Sequence, residues 1–330
     1  MKDRNWDMFM AVLRAGLWEQ DLTLGQVPEA AAWDAMRNLA RQQAVGGLFY
    51  RGITHLPEHQ LPPAGIRLQL MADADSIQRS HARVQRVQEK LSVRFEQASV
   101  PYIIQKGSEA GKYYPYPELR ESGDIDLYCP FFEGAKALFP DAEAAPDGSL
   151  CFVRDGVSVE LHPNYYDLSR EQGLLPEVPS PIAERLMMSA HILKHAVGAG
   201  IGLKQLCDMA RALNSPHDHN ALQKAVHQAG IGRWYRLLCS FLVDDLGLEP
   251  TSCGKDFRPC NPKPLRRIIR RGGNMGWERR LRSATSHSGK WIRKGAVALS
   301  FLGSLPFSLR YAPHELVHTL RTLTKGNLGQ

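Results

Sequence analysis

The chain has 330 residues, 43% apolar and 23% charged, and carries a formal net charge of +7. That balance describes an ordinary soluble globular protein, and the length allows two domains or one domain with large extensions. Six cysteines, at 129, 151, 207, 239, 253 and 260, form no CxxC pair, which argues against a zinc ribbon or a dense disulfide framework and for reduced thiols.

Residues 1–98 read as an N-terminal helical region. Trp6, Phe9, Met10, Leu13 and Leu17 recur at helical spacing, as do Trp33, Met36, Leu39 and Ala40. Pro57, Pro62 and Pro63 punctuate the stretch before a long helix from about Gly65 to Ala98, and these helices are expected to pack on the sheet that follows. The chain opens on Met1-Lys2-Asp3-Arg4-Asn5 rather than an apolar signal segment, and no run of eighteen apolar residues occurs. A cytoplasmic, non-transmembrane protein is the expectation.

Residues 99–175 carry the chemistry. Strands are expected near 101–106, 124–129, 150–154 and 157–162. Successive side chains of a strand point to opposite faces, so Asp124 and Asp126 project together while Ile125 and Leu127 face the other way. Two carboxylates on one face repel, and a metal cation is one of the few partners that makes the arrangement favourable. In Gly156-Val157-Ser158-Val159-Glu160-Leu161-His162 the apolar residues alternate with Ser158, Glu160 and His162, which therefore share a face. Between 101 and 177 there are fourteen Asp or Glu against six Lys or Arg, a local acidity that suits a cation site.

Lys106-Gly107-Ser108 at a strand end, Tyr114-Pro115-x-Pro117-x-x-Arg120, and Gly123-Asp124-Ile125-Asp126-Leu127 together resemble a largely uncharacterised bacterial branch of the nucleotidyltransferase superfamily typified by DNA polymerase β. Fifteen residues separate Ser108 from Asp124, a helix-turn insertion that fits this branch. The resemblance implies an α+β fold: a small mixed β-sheet, polymerase β-like, flanked by N-terminal and C-terminal helical regions. It also implies a Mg²⁺-dependent (or Mn²⁺-dependent) enzyme that moves an NMP from an NTP to a hydroxyl acceptor and releases pyrophosphate. Asp124, Asp126 and Glu160 would then be catalytic and hold the metal, a hard cation that takes oxygen ligands and shares them with phosphates. Lys106, Gly107, Ser108 and Arg120 would bind the nucleotide, Gly107 by allowing close backbone approach and Ser108 from the start of a short helix. His162 would contact substrate or orient Glu160, or simply end a strand. The acceptor, whether a small molecule, sugar, RNA or protein, is not written in these motifs.

Residues 176–250 read as a helical bundle, with helices over 182–197, 202–213, 220–229 and 231–246. His191 and His195 share a helix face, but Ile192 stands where a metalloprotease helix needs Glu, so hydrogen bonding between helices is the expected use. Lys204, near the turn before the Asp208 helix, is a candidate phosphate contact.

Residues 251–330 form a basic C-terminal extension. From 258 to 294 there are twelve Lys or Arg and one acidic residue, with a basic helix around Arg266 to Arg271, followed by Trp277, Arg279, Arg280 and Arg282. Such a segment attracts an anionic partner through its field alone. The apolar run 296–302 is too short to span a bilayer and is expected to pack on the helical region or a partner. The alternative to an enzyme is a catalytically inactive nucleotidyltransferase-fold protein that binds or assembles through this basic surface.

Overall fold

The computed structural model describes residues 2–145, 147–166, 168, 175–197, 200–272 and 305–314. Four helices come first: α1 (Lys2–Trp18), α2 (Ala30–Gln42), α3 (Gly46–Thr54) and α4 (Ala64–Gln97). The sheet region holds β1 (Ile103–Gln105), β2 (Asp124–Tyr128), α5 (Phe132–Leu138), β3 (Glu143–Ala144), β4 (Leu150–Arg154) and β5 (Val157–His162). Then follow α6 (Pro181–Val197), α7 (Leu203–Asn214), α8 (His219–Gln228), α9 (Gly232–Leu246) and α10 (Lys263–Gly272), with a further helix over 305–311.

The five strands form one mixed sheet in the order β1-β2-β5-β4-β3. Only β2 and β5 pair in parallel; the other neighbours are antiparallel. The alternation of each strand sorts its side chains. Ile125, Leu127, Val157, Val159 and Leu161 go to an apolar face, where α4 lays Val84, Val87, Leu91 and Phe95 against them. Helix α5 adds Ala135 to that layer. The opposite face of β2 and β5 is left to Asp124, Asp126, Ser158, Glu160 and His162.

A second core joins α1, α2 and α3 to α6, α7, α8 and α9, with Phe9, Leu13, Trp33, Phe49, Leu186, Leu206, Trp234 and Leu238 among its buried members. The first three helices thus do not pack on the sheet, as periodicity alone suggests; they share the core of the later bundle. The reason is geometric, since α4 and α5 already fill the sheet's apolar face. Helix α4, about 50 Å long for its 34 residues, belongs to both cores: Leu70 to the helical one, Val84 to Phe95 to the sheet. Polar clasps join early and late helices, as Trp18 Nε1 donates to Leu246 O at 2.6 Å and Gln43 Nε2 to Ile269 O at 3.3 Å.

Local signals set the helix ends. Ser180 precedes Pro181 and accepts from the Ala183 amide at 3.1 Å, a side-chain cap followed by a proline whose missing N–H costs nothing there. Asp218 caps α8 in the same way, and Gly247 ends α9 at φ 74°. Trp277, Arg279, Arg280, Arg282, Lys290, Arg293 and Lys294 of the basic segment, and the apolar run 296–302, lie outside the described residues. Among the described residues no helix is long and apolar enough to cross a membrane, and all six cysteines are free.

The segment between β1 and β2 is moored to the bundle by one buried ion pair. Arg120 Nε and Nη2 donate to the two carboxylate oxygens of Asp208 on α7, at 2.8 and 2.7 Å, and the Tyr114 hydroxyl donates to the same carboxylate at 2.8 Å. Arg120 Nη1 completes the set on Ser122 Oγ at 2.9 Å. Helix α3 closes in from the other side: a Cβ on Gly47 would lie 1.9 Å from Leu119 O, so only glycine admits that approach. Removing one partner of a buried pair leaves an uncompensated charge. We expect Asp208→Ala to cost about 3–5 kcal/mol in urea unfolding, and the double change Arg120→Met, Asp208→Leu to recover most of it. A loss below about 1 kcal/mol in the single variant would show that the pair does not moor this segment.

Candidate active site

The site begins where the chain leaves β1. Lys106 has φ 44° and ψ −139°, and Gly107 has φ 30°, so two consecutive residues adopt left-handed backbone before a 3-10 turn from Gly107 to Tyr113. For a lysine this conformation costs about 1–3 kcal/mol and persists only when its surroundings dictate it. One contact that holds it is the ammonium of Lys106, 3.5 Å from Asp126 Oδ1. A Cβ on Gly107 would sit 3.1 Å from Asp124 O, so the turn presses directly on β2.

The parallel pairing of β2 with β5 sets Asp124 beside Ser158, Asp126 beside Glu160 and Tyr128 beside His162. His162 Nε2 lies 2.9 Å from Asp126 Oδ1 and 3.7 Å from Glu160 Oε2. Among the described residues, Asp126, Glu160 and His162 form the group whose potential metal-donor atoms all fall within 4.8 Å of one another. Asp124 shares the face but begins the strand, is exposed, and stands outside that group.

The carboxylates sit in different environments. Asp126 is 9% exposed at its side chain and Glu160 39%. Burial by itself raises the Asp126 carboxyl, but the Lys106 ammonium and the His162 hydrogen bond outweigh it and hold Asp126 well below the usual range. Glu160 is pushed upward, first by burial and then by the charge of Asp126. Two acids side by side are thus driven apart in proton affinity, a pattern shared by acid–base pairs and by cation sites awaiting charge.

Around this centre the 3-10 turn is fastened to α6. Lys112 bridges Glu109 at 2.5 Å and Glu184 at 2.9 Å, and the Tyr113 hydroxyl donates to Glu184 at 2.8 Å. A cavity of about 250 Å³ opens between them, bounded by Gln105, Lys106, Glu109, Tyr165, Ser180 and Glu184. Arg120, expected among the nucleotide-binding residues, is 3% exposed and has all three guanidinium nitrogens engaged within the protein. Lys204 is the second residue of α7, where its amide donates to Gln43 O at 3.3 Å and its charge acts on Glu121 and His191. His191 and His195 meet each other through their Nε2 atoms at 3.0 Å, and burial, followed by the Lys106 charge, pushes the His191 imidazole well below its ordinary pKa.

Two features went unread in the sequence: the Arg120–Asp208 pair and the Lys106–Asp126 contact. The first had a signal. Asp208 lies between Cys207 and Met209 in the buried part of an amphipathic helix, and a carboxylate there demands a cation. The second had none, because the left-handed turn that aims Lys106 depends on how closely Gly107 approaches β2.

Comparison with known families adds one finding to this geometry. The family described as "Uncharacterised nucleotidyltransferase" matches residues 29–244. No curated protein and no solved structure matches the chain. The matched span takes in the whole sheet, the glycine turn and most of both helical layers, so the chain belongs to that uncharacterised nucleotidyltransferase family.

Proposed function

We propose that the chain is a Mg²⁺- or Mn²⁺-dependent nucleotidyltransferase, built on a polymerase β-like sheet, that moves an NMP from an NTP to a hydroxyl acceptor. The observation that supports this most is the convergence of Asp126, Glu160 and His162 beside the Gly107 turn. The donor set fits a divalent cation: two carboxylates and an imidazole on neighbouring strands, with Asp124 on the same face as a further carboxylate. Bound there, the metal would orient the triphosphate and neutralise charge on the attacking and leaving oxygens.

The protein's own groups do the rest. Gly107 offers backbone with no side chain in the way, and the amides of the turn that includes Ser108 face the nucleotide. Lys106, the cation nearest the carboxylates, turns to phosphate oxygens once its partner Asp126 is engaged. Glu160 is the more exposed of the two central acids, so an acceptor hydroxyl reaches it and gives up its proton there. The hydroxyl oxygen then bonds to the α-phosphorus, the bond to the β-phosphate oxygen breaks, and pyrophosphate leaves. His162 Nε2 holds Asp126 in place through its 2.9 Å contact, and the same nitrogen would leave that hydrogen bond to become a metal donor when the cation is bound. Arg120 serves by keeping the motif segment docked on α7 rather than by touching phosphate. Lys204 is the remaining cation for a phosphate or acceptor contact.

Two outcomes follow. Mn²⁺ titrated into the protein and followed by electron paramagnetic resonance is expected to bind at a discrete site. His162→Ala should weaken that binding at least about tenfold, or about 1.4 kcal/mol; unchanged affinity would remove His162 from the donor set. With labelled NTP, divalent metal and cell extract, Asp126→Asn combined with Asp124→Asn should reduce label transfer by on the order of 10³, the several kcal/mol that metal-held charge contributes. Circular dichroism should show the helices retained. Transfer that survives both changes would sink the enzyme assignment and leave the binding role as the working one.

A further inference from the structure

Outside the carboxylate site, α9, α10 and the helix over 305–311 border an open cleft of about 510 Å³. Its wall carries Arg233, Arg236, Lys263, Arg267 and Arg310, and no acidic residue. Among the described residues none of these five is in an ion pair, whereas their neighbour Arg266 turns away to Asp245 at 2.8 Å. Lys263 and Arg267 are four apart on α10, and Arg233 and Arg236 three apart on α9, so each pair projects from one helix face. Arg236 is held by donating Nε to Arg258 O at 2.8 Å, and Arg310 lies 5.6 Å over the ring of Tyr311.

Backbone polarity acts in the same direction. Helix α9 starts at Gly232 with no side-chain cap on its first amides, and Arg233 is its second residue. Helix α10 starts at Lys263 and Pro264, both in the wall; Asn261 Oδ1 already accepts from the Lys263 amide at 3.0 Å, so this end contributes its dipole and the Lys263 ammonium rather than a free N–H. Two helix N-termini, each the positive end of its dipole, therefore border a hollow ringed by five cations. Such charges repel each other unless an anion lies between them.

We propose that this cleft binds a small, multiply phosphorylated molecule at a site that shares no residue with the nucleotidyltransferase centre. The volume falls in the range of small-molecule pockets, about 300–1,000 Å³. Its one aromatic lining residue, Tyr311, is only 9% exposed and is covered by Arg310, so it offers no platform for nucleic-acid bases. Phosphate oxygens satisfy guanidinium groups in pairs, and a chain of two or three phosphates offers enough oxygens to engage cations from both helices.

The test is calorimetric titration of the full chain with inorganic tripolyphosphate, in EDTA so that no cation bridges the ligand to Asp126. One saturable site is expected. Arg233→Gln with Arg267→Gln, both exposed, should weaken it at least about tenfold, and Lys263→Gln with Arg310→Gln should do the same if the first pair proves unstable. Asp126→Asn should leave it unchanged, so the result stands or falls separately from the transferase reading. The proposal is overturned by absence of saturable binding or by affinity that ignores both pairs of substitutions. It is equally overturned if a single-stranded RNA binds these residues and tripolyphosphate fails to displace it.

Discussion

The parallel register of β2 on β5 is the constraint on which the site depends. It sets Asp126 opposite Glu160, and a slip of β5 by one residue would turn Glu160 into the apolar layer beneath α4. That layer is what fixes the register. Ile125, Leu127, Val159 and Leu161 are fully buried, and the hydrophobic contribution of four such side chains, about 1.5–3 kcal/mol each, exceeds the repulsion between two carboxylates. The apolar side of the sheet thus imposes a charged cluster on the other side.

The protein answers that imposed charge with Lys106 and His162. Both reach the same oxygen of Asp126, and the cost of a left-handed lysine is tolerated because the ammonium gains a carboxylate. These two contacts offset the Asp126 charge from within the protein, through groups that a ligand can draw away. Family membership and geometry agree at this level: a nucleotidyltransferase scaffold whose acidic residues keep cation-binding spacing.

Much of this was legible in the sequence. The alternation Val157-Ser158-Val159-Glu160-Leu161 gave the β5 span of 157–162 without error, and periodicity placed the four helices of the later bundle to within a residue or so. The two-residue β3 and the 3-10 turns carried too few residues for any period to register. The partner of each helix was also hidden, because an amphipathic stripe on α1 or α2 names a buried face but not what covers it. The same limit applies to Arg120: the motif around it signalled importance, yet its carboxylate partner lies 88 residues away and becomes a neighbour only when α7 folds back.

Helix α4 has one more consequence. Its first half is rooted among the N-terminal helices and its second half is the lid over the sheet's greasy side, with no break in 34 residues. A fragment starting after Gln97 would leave Ile125, Leu127 and Val159 bare to water. The sheet that holds the acidic cluster is therefore not an excisable module, and gene fusions or truncations that cut there would yield an aggregating strand assembly rather than a minimal enzyme.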